Sequence, residues 1–472
     1  MLHYYYFMVV AFVVGIILIS LEDRIRINKA ATAILMCVVM WLMLTSGSNY
    51  ILVERANPEY TNFTTLHGAD NPANKVYQIS EYLVGNRFVH HLGTVAETLF
   101  FVMGTMLIVN IVDKHGGFKL ITDRVNTRNK RKLLWIIAFL SFFLSAMLDN
   151  LAAALVLIAI LRKMVPDKTD RMKYACMIIL SANAGGSWSP IGDVTTLLLW
   201  TGGYLTPGHQ VTHVFLPALI NLLLPLTVAH FWLFKKGAVL RQEKDRKEDL
   251  ALQYISHRDR LIIFTLGILS LALVPVFQYF TGLPPFLCVM VGLTCLWMYT
   301  DVMHGEASNT FEEELRVTRL FKKVDLATIF FFLGILMSVA ALETGGQLHH
   351  AAQILDEKLH MPFLLSSIIG IVSSFTDNVA LVAGTMGMYP ITTNTAALTE
   401  YTQNFVHNGP FWTAIAYAAV TGGSLLIIGS ATGVTVMGLE KISFAYYFKR
   451  FSGLALLGYL GGLCCSYFIE ML

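Results

Sequence analysis

The sequence predicts an all-α membrane protein of two inverted repeats, each with a re-entrant helical hairpin and a broken transmembrane helix. Of its 472 residues, 55% are hydrophobic and only 14% are charged, whereas about a quarter of the residues in an ordinary soluble domain are charged. Two long apolar runs each carry one acid near the middle, and short motifs recur in both halves. The net charge of +3 is too small and too mixed in sign to predict a nucleic-acid partner.

The first apolar run covers residues 4–20. It lacks the preceding basic residues and the small-residue cleavage pattern of a secretory signal peptide. Arg24, Arg26 and Lys29 follow the run, and basic residues favour the cytoplasmic side of a membrane. We therefore expect residues 1–29 to contain a retained transmembrane helix whose C-terminal end faces the cytoplasm.

Further stretches are apolar enough to cross a hydrocarbon core of about 30 Å, which takes roughly 20 helical residues. They lie near 30–46, 92–112, 212–234, 261–280, 286–300, 325–345 and 447–469. Two other segments, 174–203 and 411–439, are interrupted by polar and small residues such as Gly and Ser. A break at membrane depth is tolerated only where the freed backbone groups line a cavity or meet a ligand, so we expect two broken helices at a ligand site.

Basic residues flank the apolar run 133–161 on both sides. Because both ends then lie in the cytoplasm, the run cannot be one span. We expect a re-entrant hairpin with Asp149 at its tip, near the middle of the bilayer. The matching run 362–390 carries Asp377 and lacks such basic flanks, so we expect it to enter the membrane from outside.

Three motifs recur in the second half of the chain. Ser145-x3-Asp149-Asn150 returns as Ser373-x3-Asp377-Asn378, Gly185-Gly186-Ser187 as Gly422-Gly423-Ser424, and Phe100-Phe101-x2-Gly104 as Phe330-Phe331-x2-Gly334. Matches in the same order predict a shared fold, and the opposite entry sides of the hairpins predict that the halves are inverted. We therefore expect repeats at 30–235 and 261–472, joined by a charged cytoplasmic loop at 236–260.

Two acids at bilayer depth indicate function, because an ionised carboxylate there costs about 2.5–3.5 kcal/mol. Oxygen ligands are what a hard cation prefers. The side chains that offer them in the hairpins and breaks are Asp149, Asn150, Ser145, Asn183, Ser187, Asp193, Thr195 and Thr196, then Ser373, Asp377, Asn378, Ser424, Ser430 and Thr432. We expect these residues to bind a cation and protons. Two alternatives are that the acids cap the hairpin tips and that the hydroxyls bond to nearby carbonyls.

Asp193 has no acidic equivalent in the second half, where Ser430 takes its place. The first half therefore has an extra titratable group, which predicts unequal roles for the two halves; the alternative is an N-cap for a half-helix that resumes near Thr195. Desolvation raises the pKa of a carboxylate and a bound cation lowers it. A buried carboxylate thus holds either a proton or a metal ion, and the exchange of the two needs no cofactor and no catalytic residue.

Glu97 and His90 are further candidates, for a proton path and for pH sensing. Both fall near a predicted outer boundary, so ordinary interfacial residues are the alternative. The six cysteines lack metal-ligand spacing and are expected to be packing thiols. A membrane-embedded enzyme would need a nucleophile or a metal motif such as His-x-x-Glu-His, which is absent from the sequence.

The chain resembles the NhaD-type Na+/H+ antiporters of the ion transporter superfamily. The motifs that carry the resemblance are SAMLDNLAAALVLI at 145–158, SANAGGSWSPIGDVTTLLLW at 181–200, SSFTDNVALVAG at 373–384 and TGGSLLIIGSATGV at 421–434. Relatives that carry dicarboxylates have neutral tips that resemble Ser-Asn-Thr, and the acids found here depart from that pattern.

The resemblance implies that Na+, with Li+ as a second candidate, is exchanged for H+ across a bacterial cytoplasmic membrane. Na+ is then expected at Asp149, Asn150, Asp377 and Asn378. It also implies a dimer-forming scaffold part and an elevator-like movement of a transport part. A transporter of an anion or of a neutral oxyacid such as arsenite, and a channel, are the alternatives.

Overall fold

The computed structural model describes residues 2–20, 22–55, 57–66, 75–122, 127–235, 237–239, 255–304, 315–392 and 399–471. The predicted loop 236–260 lies largely outside these residues. The described residues form helices and turns, apart from one isolated antiparallel bridge between Asn129 and Val239. The α-class prediction is therefore confirmed.

The described residues contain 24 α-helices. In order they are α1 (Leu2–Ser20), α2 (Glu22–Ile25), α3 (Lys29–Ser46), α4 (Pro58–Leu66), α5 (Lys75–Ser80), α6 (Val89–Lys114), α7 (Lys119–Thr122), α8 (Lys130–Leu148), α9 (Asn150–Met164), α10 (Lys168–Ser187), α11 (Val194–Thr201), α12 (Pro207–Trp232), α13 (His257–Ala272), α14 (Val274–Thr281), α15 (Pro285–Met303), α16 (Val317–Leu320), α17 (Leu326–Thr344), α18 (Gln347–Leu359), α19 (Pro362–Val372), α20 (Asn378–Met388), α21 (Pro410–Gly422), α22 (Ala431–Glu440), α23 (Phe444–Arg450) and α24 (Ser452–Met471). Two π-helical segments lie at Asn49–Glu54 and Glu81–Phe88.

Among the described residues, seven helices are long and apolar enough to cross a membrane, or eight if the bent pair α13 and α14 is one span. The chain is thus an integral, multi-pass membrane protein. The axes of α13 and α14 differ by 45°. The bend lies just before Pro275, whose pyrrolidine ring removes a backbone N–H donor and disfavours a straight helix. Helix α8, the first arm of the hairpin predicted at 133–161, has 19 residues and passes the same test.

The helices divide into two compact units. The first unit combines Met1–Leu99, Asp325–Pro362 and Val379–Ala397. Its core is the packing of α3 against α17 and α1. The indole of Trp41 on α3 donates a buried 2.9 Å hydrogen bond to the carbonyl of Met337 on α17.

The second unit combines Phe100–Val324, Phe363–Asn378 and Leu398–Leu472. Helix α10 packs against α8, α9, α12, α21 and α22. Every side chain of α10 from Tyr174 to Ser187 and every side chain of α21 from Phe411 to Gly422 is buried. An apolar helix that is buried all round belongs to a protein interior rather than to a lipid-facing surface. The second unit is therefore built around these two central helices.

Both ends of the segment formed by α8 and α9 lie beside the first turn of α10. Lys130, at the start of α8, forms an ion pair with Asp170. Arg162, near the end of α9, and Arg171 both pair at 2.6 Å with Glu440. This return to the starting side is what the re-entrant prediction for 133–161 requires.

Both central helices break near the predicted glycines. Helix α10 ends at Ser187 and α11 begins at Val194, whereas α21 ends at Gly422 and α22 begins at Ala431. A Cβ atom at Gly185 would collide with the backbone carbonyl of Phe142, and one at Gly422 with that of Gly370. Glycine is required at these two positions because α10 touches the backbone of α8, and α21 touches the backbone of α19.

The two broken segments run in opposite directions within the second unit. Arg171, at the start of α10, pairs with Glu440 at the end of α22. At the other end, the amide of Asn408, just before α21, donates a 2.9 Å bond to the carbonyl of Tyr204, just after α11. The start of each broken segment therefore lies beside the end of the other.

Candidate functional site

Asp193 occupies the centre of a polar cluster in the second unit. It precedes the first residue of α11, and its side chain is only 4% exposed. Its Oδ1 accepts hydrogen bonds from the backbone amide of Thr195 at 2.8 Å and from the Thr195 hydroxyl at 2.6 Å. Asp193 thus caps α11, as the alternative interpretation expected, and it also receives bonds from more distant parts of the chain.

Those bonds come from the asparagines of both recurring Asp-Asn motifs. The Nδ2 atom of Asn150 donates to Oδ2 of Asp193. The Nδ2 atom of Asn378 lies 3.4 Å from Oδ1 and 3.5 Å from Oδ2 of the same carboxylate. Asn150 and Asn378 are both buried. A single carboxylate therefore joins the two motifs.

Asn183 connects the two breaks. Its Oδ1 accepts a 3.1 Å bond from Asn150. Its Nδ2 donates to the hydroxyls of Ser424 at 2.8 Å and Ser430 at 3.1 Å. Because all three partners and Asn183 itself are buried, the network holds residues of both sequence halves in fixed positions.

Asp149 forms the one-residue connection between α8 and α9. Its φ of 93° and ψ of 158° lie in a region that non-glycine residues rarely adopt, at a typical cost of about 1–3 kcal/mol. Its Oδ1 accepts a 2.9 Å bond from the amide of Ala152 and so caps α9. Capping was the predicted alternative to ion binding, and strained backbone of this kind clusters at functional sites.

Three acids meet in this cluster. Asp193 interacts electrostatically with Asp149 and with Asp377, which directly precedes α20. Asp149 and Asp377 are half-buried. Each of the three acids precedes the first turn of a helix, where the helix dipole stabilises negative charge. The dipoles offset part of the cost of burial, but the like charges oppose one another.

The serines at the start of the recurring motifs bond to the central helices. The hydroxyl of Ser145 donates to the carbonyl of Ala182 at 2.6 Å, and that of Ser373 donates to the carbonyl of Ala419 at 2.7 Å. Both contacts are buried. These serines fix α8 against α10 and the end of α19 against α21. A direct role in ion binding stays a prediction.

The break in the second half differs because Ser430 replaces an acid. The Ser430 hydroxyl accepts the 3.1 Å bond of the Gly433 amide and caps α22. Thr432 holds the position that corresponds to Thr195, yet its buried hydroxyl oxygen has no hydrogen-bond partner among the described residues. An unsatisfied buried oxygen at this place is a candidate ligand for a cation or a water molecule.

The other predicted residues have local partners or lie elsewhere. The hydroxyls of Ser187 and Thr196 bond at 2.8 Å to the carbonyls of Ala184 and Asp193, as the local-bonding alternative expected. Glu97 is half-buried and His90 is exposed; both belong to the first unit, whereas the cluster belongs to the second. The roles predicted for Glu97 and His90 stay predictions.

Two side chains of the site were not predicted. Gln210 on α12 is fully buried and donates a 3.1 Å bond to the carbonyl of Ser187, the last residue of α10. Tyr447 on α23 donates a 2.7 Å bond to the carbonyl of Ser424. Each side chain satisfies a backbone carbonyl that a break leaves without a helical partner. Neither residue lies in a recurring motif, so the repeat comparison does not find them.

A cavity of about 440 Å³ adjoins the first hairpin tip. Its lining includes Met147, two residues before Asp149, and Ser189 and Pro190 in the break after α10. The lining also includes residues of α12 and Ala272 and Pro275. The cavity therefore reaches both the hairpin and the break that supply the polar cluster.

The amino-acid sequence is similar to those of known transporters. The profile of the CitMHS family, described as "Citrate transporter", matches residues 14–408. "Sodium/proton antiporter 1" of Arabidopsis thaliana is 37% identical over 97% of this chain and 71% of its own length. "Sodium/proton antiporter 2" of the same plant is 35% identical over 97% of both chains. "Na(+)/H(+) antiporter NhaD" of Alkalimonas amylolytica is 26% identical over 96% of this chain and 88% of its own.

Proposed function

Because this chain belongs to the CitMHS transporter family and its Na+/H+ antiporter relatives match nearly its whole length, we propose that it is a secondary active transporter that exchanges Na+ for H+ by alternating access. The observation that carries the proposal is the buried carboxylate of Asp193, which receives bonds from Asn150 and Asn378. No covalent step and no cofactor is part of this exchange.

The charge of the cluster supports a cation and a proton as competing ligands. The hydrogen-bond donors to Asp193 are amide and hydroxyl groups, which stabilise a carboxylate without neutralising it. Asp149 and Asp377 interact electrostatically with Asp193, and like charges in one buried cluster repel one another. A protonated cluster and a Na+-bound cluster are both more favourable than an empty, fully ionised one, so Na+ and protons compete for the carboxylates.

The same charge argues against citrate or another anion. Three acids in one cluster repel a carboxylate substrate, and the hairpin tips carry Asp149 and Asp377 where a neutral residue would suit an anion. The Na+/H+ antiporter names of the relatives also disfavour the alternative substrates, including a neutral oxyacid such as arsenite. Li+ is the second candidate cation, because it too prefers hard oxygen ligands.

The direction of the helices supports alternating access. The broken segments run antiparallel, as inverted repeats at 30–235 and 261–472 require. A site where such repeats meet can be reached alternately from either side of the bilayer. We further propose that the protein forms a homodimer. We propose a bacterial cytoplasmic membrane as its location, where the exchange serves pH homeostasis; the matched relatives come from plants and bacteria.

Proteoliposomes test the proposed function directly. With the purified full-length chain reconstituted and the vesicle interior made acidic, external Na+ should dissipate the pH gradient, which an internal fluorescent pH dye reports. External choline should leave the gradient intact, as should Na+ added to protein-free vesicles. A gradient that survives Na+ and Li+ addition over the range of pH tested would refute the exchange.

A further inference from the structure

Two histidines and one glutamate lie close together in the second unit, near the start of α12. His209 and His213 lie one helical turn apart on α12, and Glu470 lies near the end of α24. One potential ligand atom from each of the three residues lies within 4.8 Å of the others. We propose that His209, His213 and Glu470 form a binding site for a divalent transition metal ion of the Zn2+ class, separate from the Na+ site.

The two histidines have the spacing of a helical metal pair. Residues four apart project from the same face of a helix, and the two rings stack with their centroids 3.8 Å apart. The Nδ1 atom of His213 lies 3.0 Å from the carbonyl oxygen of His209. A backbone bond of this kind places the proton on Nδ1 and leaves Nε2 with a free lone pair for a metal.

Glu470 supplies the third ligand from another part of the chain. Helix α24 packs along α12, which brings its last turn to the first turns of α12. The Oε1 atom of Glu470 is buried without a hydrogen-bond partner among the described residues. Such an atom is costly unless a ligand or water satisfies it. Together with the clustering of the three potential ligands, this unpaired oxygen indicates a bound ion.

Thr413 lies beside the proposed metal ligands. The hydroxyl of Thr413 on α21 lies 3.0 Å from Nε2 of His209. His-His-Glu with one open position is a ligand set of four-coordinate zinc, with bonds of about 2.0–2.2 Å. The potential ligand atoms of the three residues lie within 4.8 Å of one another. Imidazole and carboxylate favour Zn2+, Co2+ or Ni2+ over Na+.

An ion at this place would connect the metal site to the broken helix. His209 is followed directly by Gln210, which bonds to the last carbonyl of α10. A metal bound to α12 and α24 would hold the first turn of α12 in place, and with it the side chain of Gln210. The proposed role is therefore to stabilise the helix end that supports the break, without a part in the ion exchange itself.

Direct metal binding to the purified full-length chain tests the proposal without any transport assay. Co2+ should bind once per chain, give the visible absorption bands of a tetrahedral N/O site, and be displaced by Zn2+. His213→Ala and Glu470→Gln should each weaken Zn2+ binding at least about tenfold, the range typical for disturbed metal sites. His350→Ala removes an exposed histidine of the first unit and should leave the affinity unchanged.

The variants separate a metal site from a purely structural contact. Glu470→Gln keeps the shape of the side chain, so gel filtration and thermal unfolding without metal should match the wild type. Wild-type Zn2+ affinity in both His213→Ala and Glu470→Gln, or no Co2+ absorption band in the wild-type protein, would overturn the proposal. Either result leaves the Na+/H+ exchange of the metal-free protein to be judged separately.

Discussion

Asp193→Asn is expected to reduce Na+/H+ exchange to the level of protein-free liposomes. The amide keeps the size of the side chain and one oxygen that caps α11, so the fold should survive. It removes the charge that the amides of Asn150 and Asn378 converge on. An amide neither binds a proton at these pH values nor attracts Na+ as a carboxylate does, so the two ions no longer compete for this position. The measurement is the initial rate of Na+-driven dissipation of a pH gradient.

The matched control for this variant is Asp301→Asn. Asp301 is an exposed acid of α15 in the same unit, so the variant removes an equal charge from outside the cluster and should retain the wild-type rate. If Asp193→Asn transported at the same rate as Asp301→Asn, the assignment of the central carboxylate would be wrong.

Asp149→Asn and Asp377→Asn are each expected to abolish exchange in a protein that remains folded. Asparagine is as good an N-cap as aspartate, so the bond from Ala152 to position 149 is retained. The lost charge, however, removes the repulsion that couples each tip to Asp193. The rate is again measured in proteoliposomes, and folding is followed by gel filtration and thermal unfolding. Wild-type exchange in both variants would contradict a role for the tips.

The helical fold, the connection at Asp149 and the two helix breaks could be predicted from local patterns in the sequence. The apolar runs, the acid in the middle of 133–161 and the glycines at 185 and 422 each reflect short-range chemistry: helix length, the cost of a buried charge and the need for a residue without a Cβ. The structure has helices over the apolar runs, a one-residue connection at Asp149, and breaks that follow Ser187 and Gly422. The boundaries of the repeats as domains stay predictions, because each compact unit takes segments from both halves.

The arrangement inside the site depends on contacts between distant residues, which the sequence alone does not specify. The sequence predicted Asp149 and Asp377 as the principal ligands and treated Asp193 as an asymmetry. The structure instead brings both motif asparagines to Asp193, through contacts that span 43 and 185 residues of the chain. The Arg162 and Arg171 pairing with Glu440 was missed for the same reason.

Only part of the proposed metal site could be predicted from the sequence. The four-residue spacing of His209 and His213 is visible in the sequence and is a recognisable helical pattern. The third ligand, Glu470, is far away in the chain, and only the packing of α24 along α12 brings it close. A search for pairs of histidines on one helical face would have singled out the first two residues but not the third.

Proton release on Na+ binding is the most direct test of competition at the carboxylate cluster. The purified protein in detergent and weakly buffered solution would be titrated with Na+, and a soluble pH indicator would report the protons released. Na+ is expected to release protons from the wild-type protein and far fewer from Asp193→Asn, whereas choline releases none. If Na+ bound to the wild-type protein, as calorimetry would show, without releasing protons at any pH, the competition between the two ions would be contradicted.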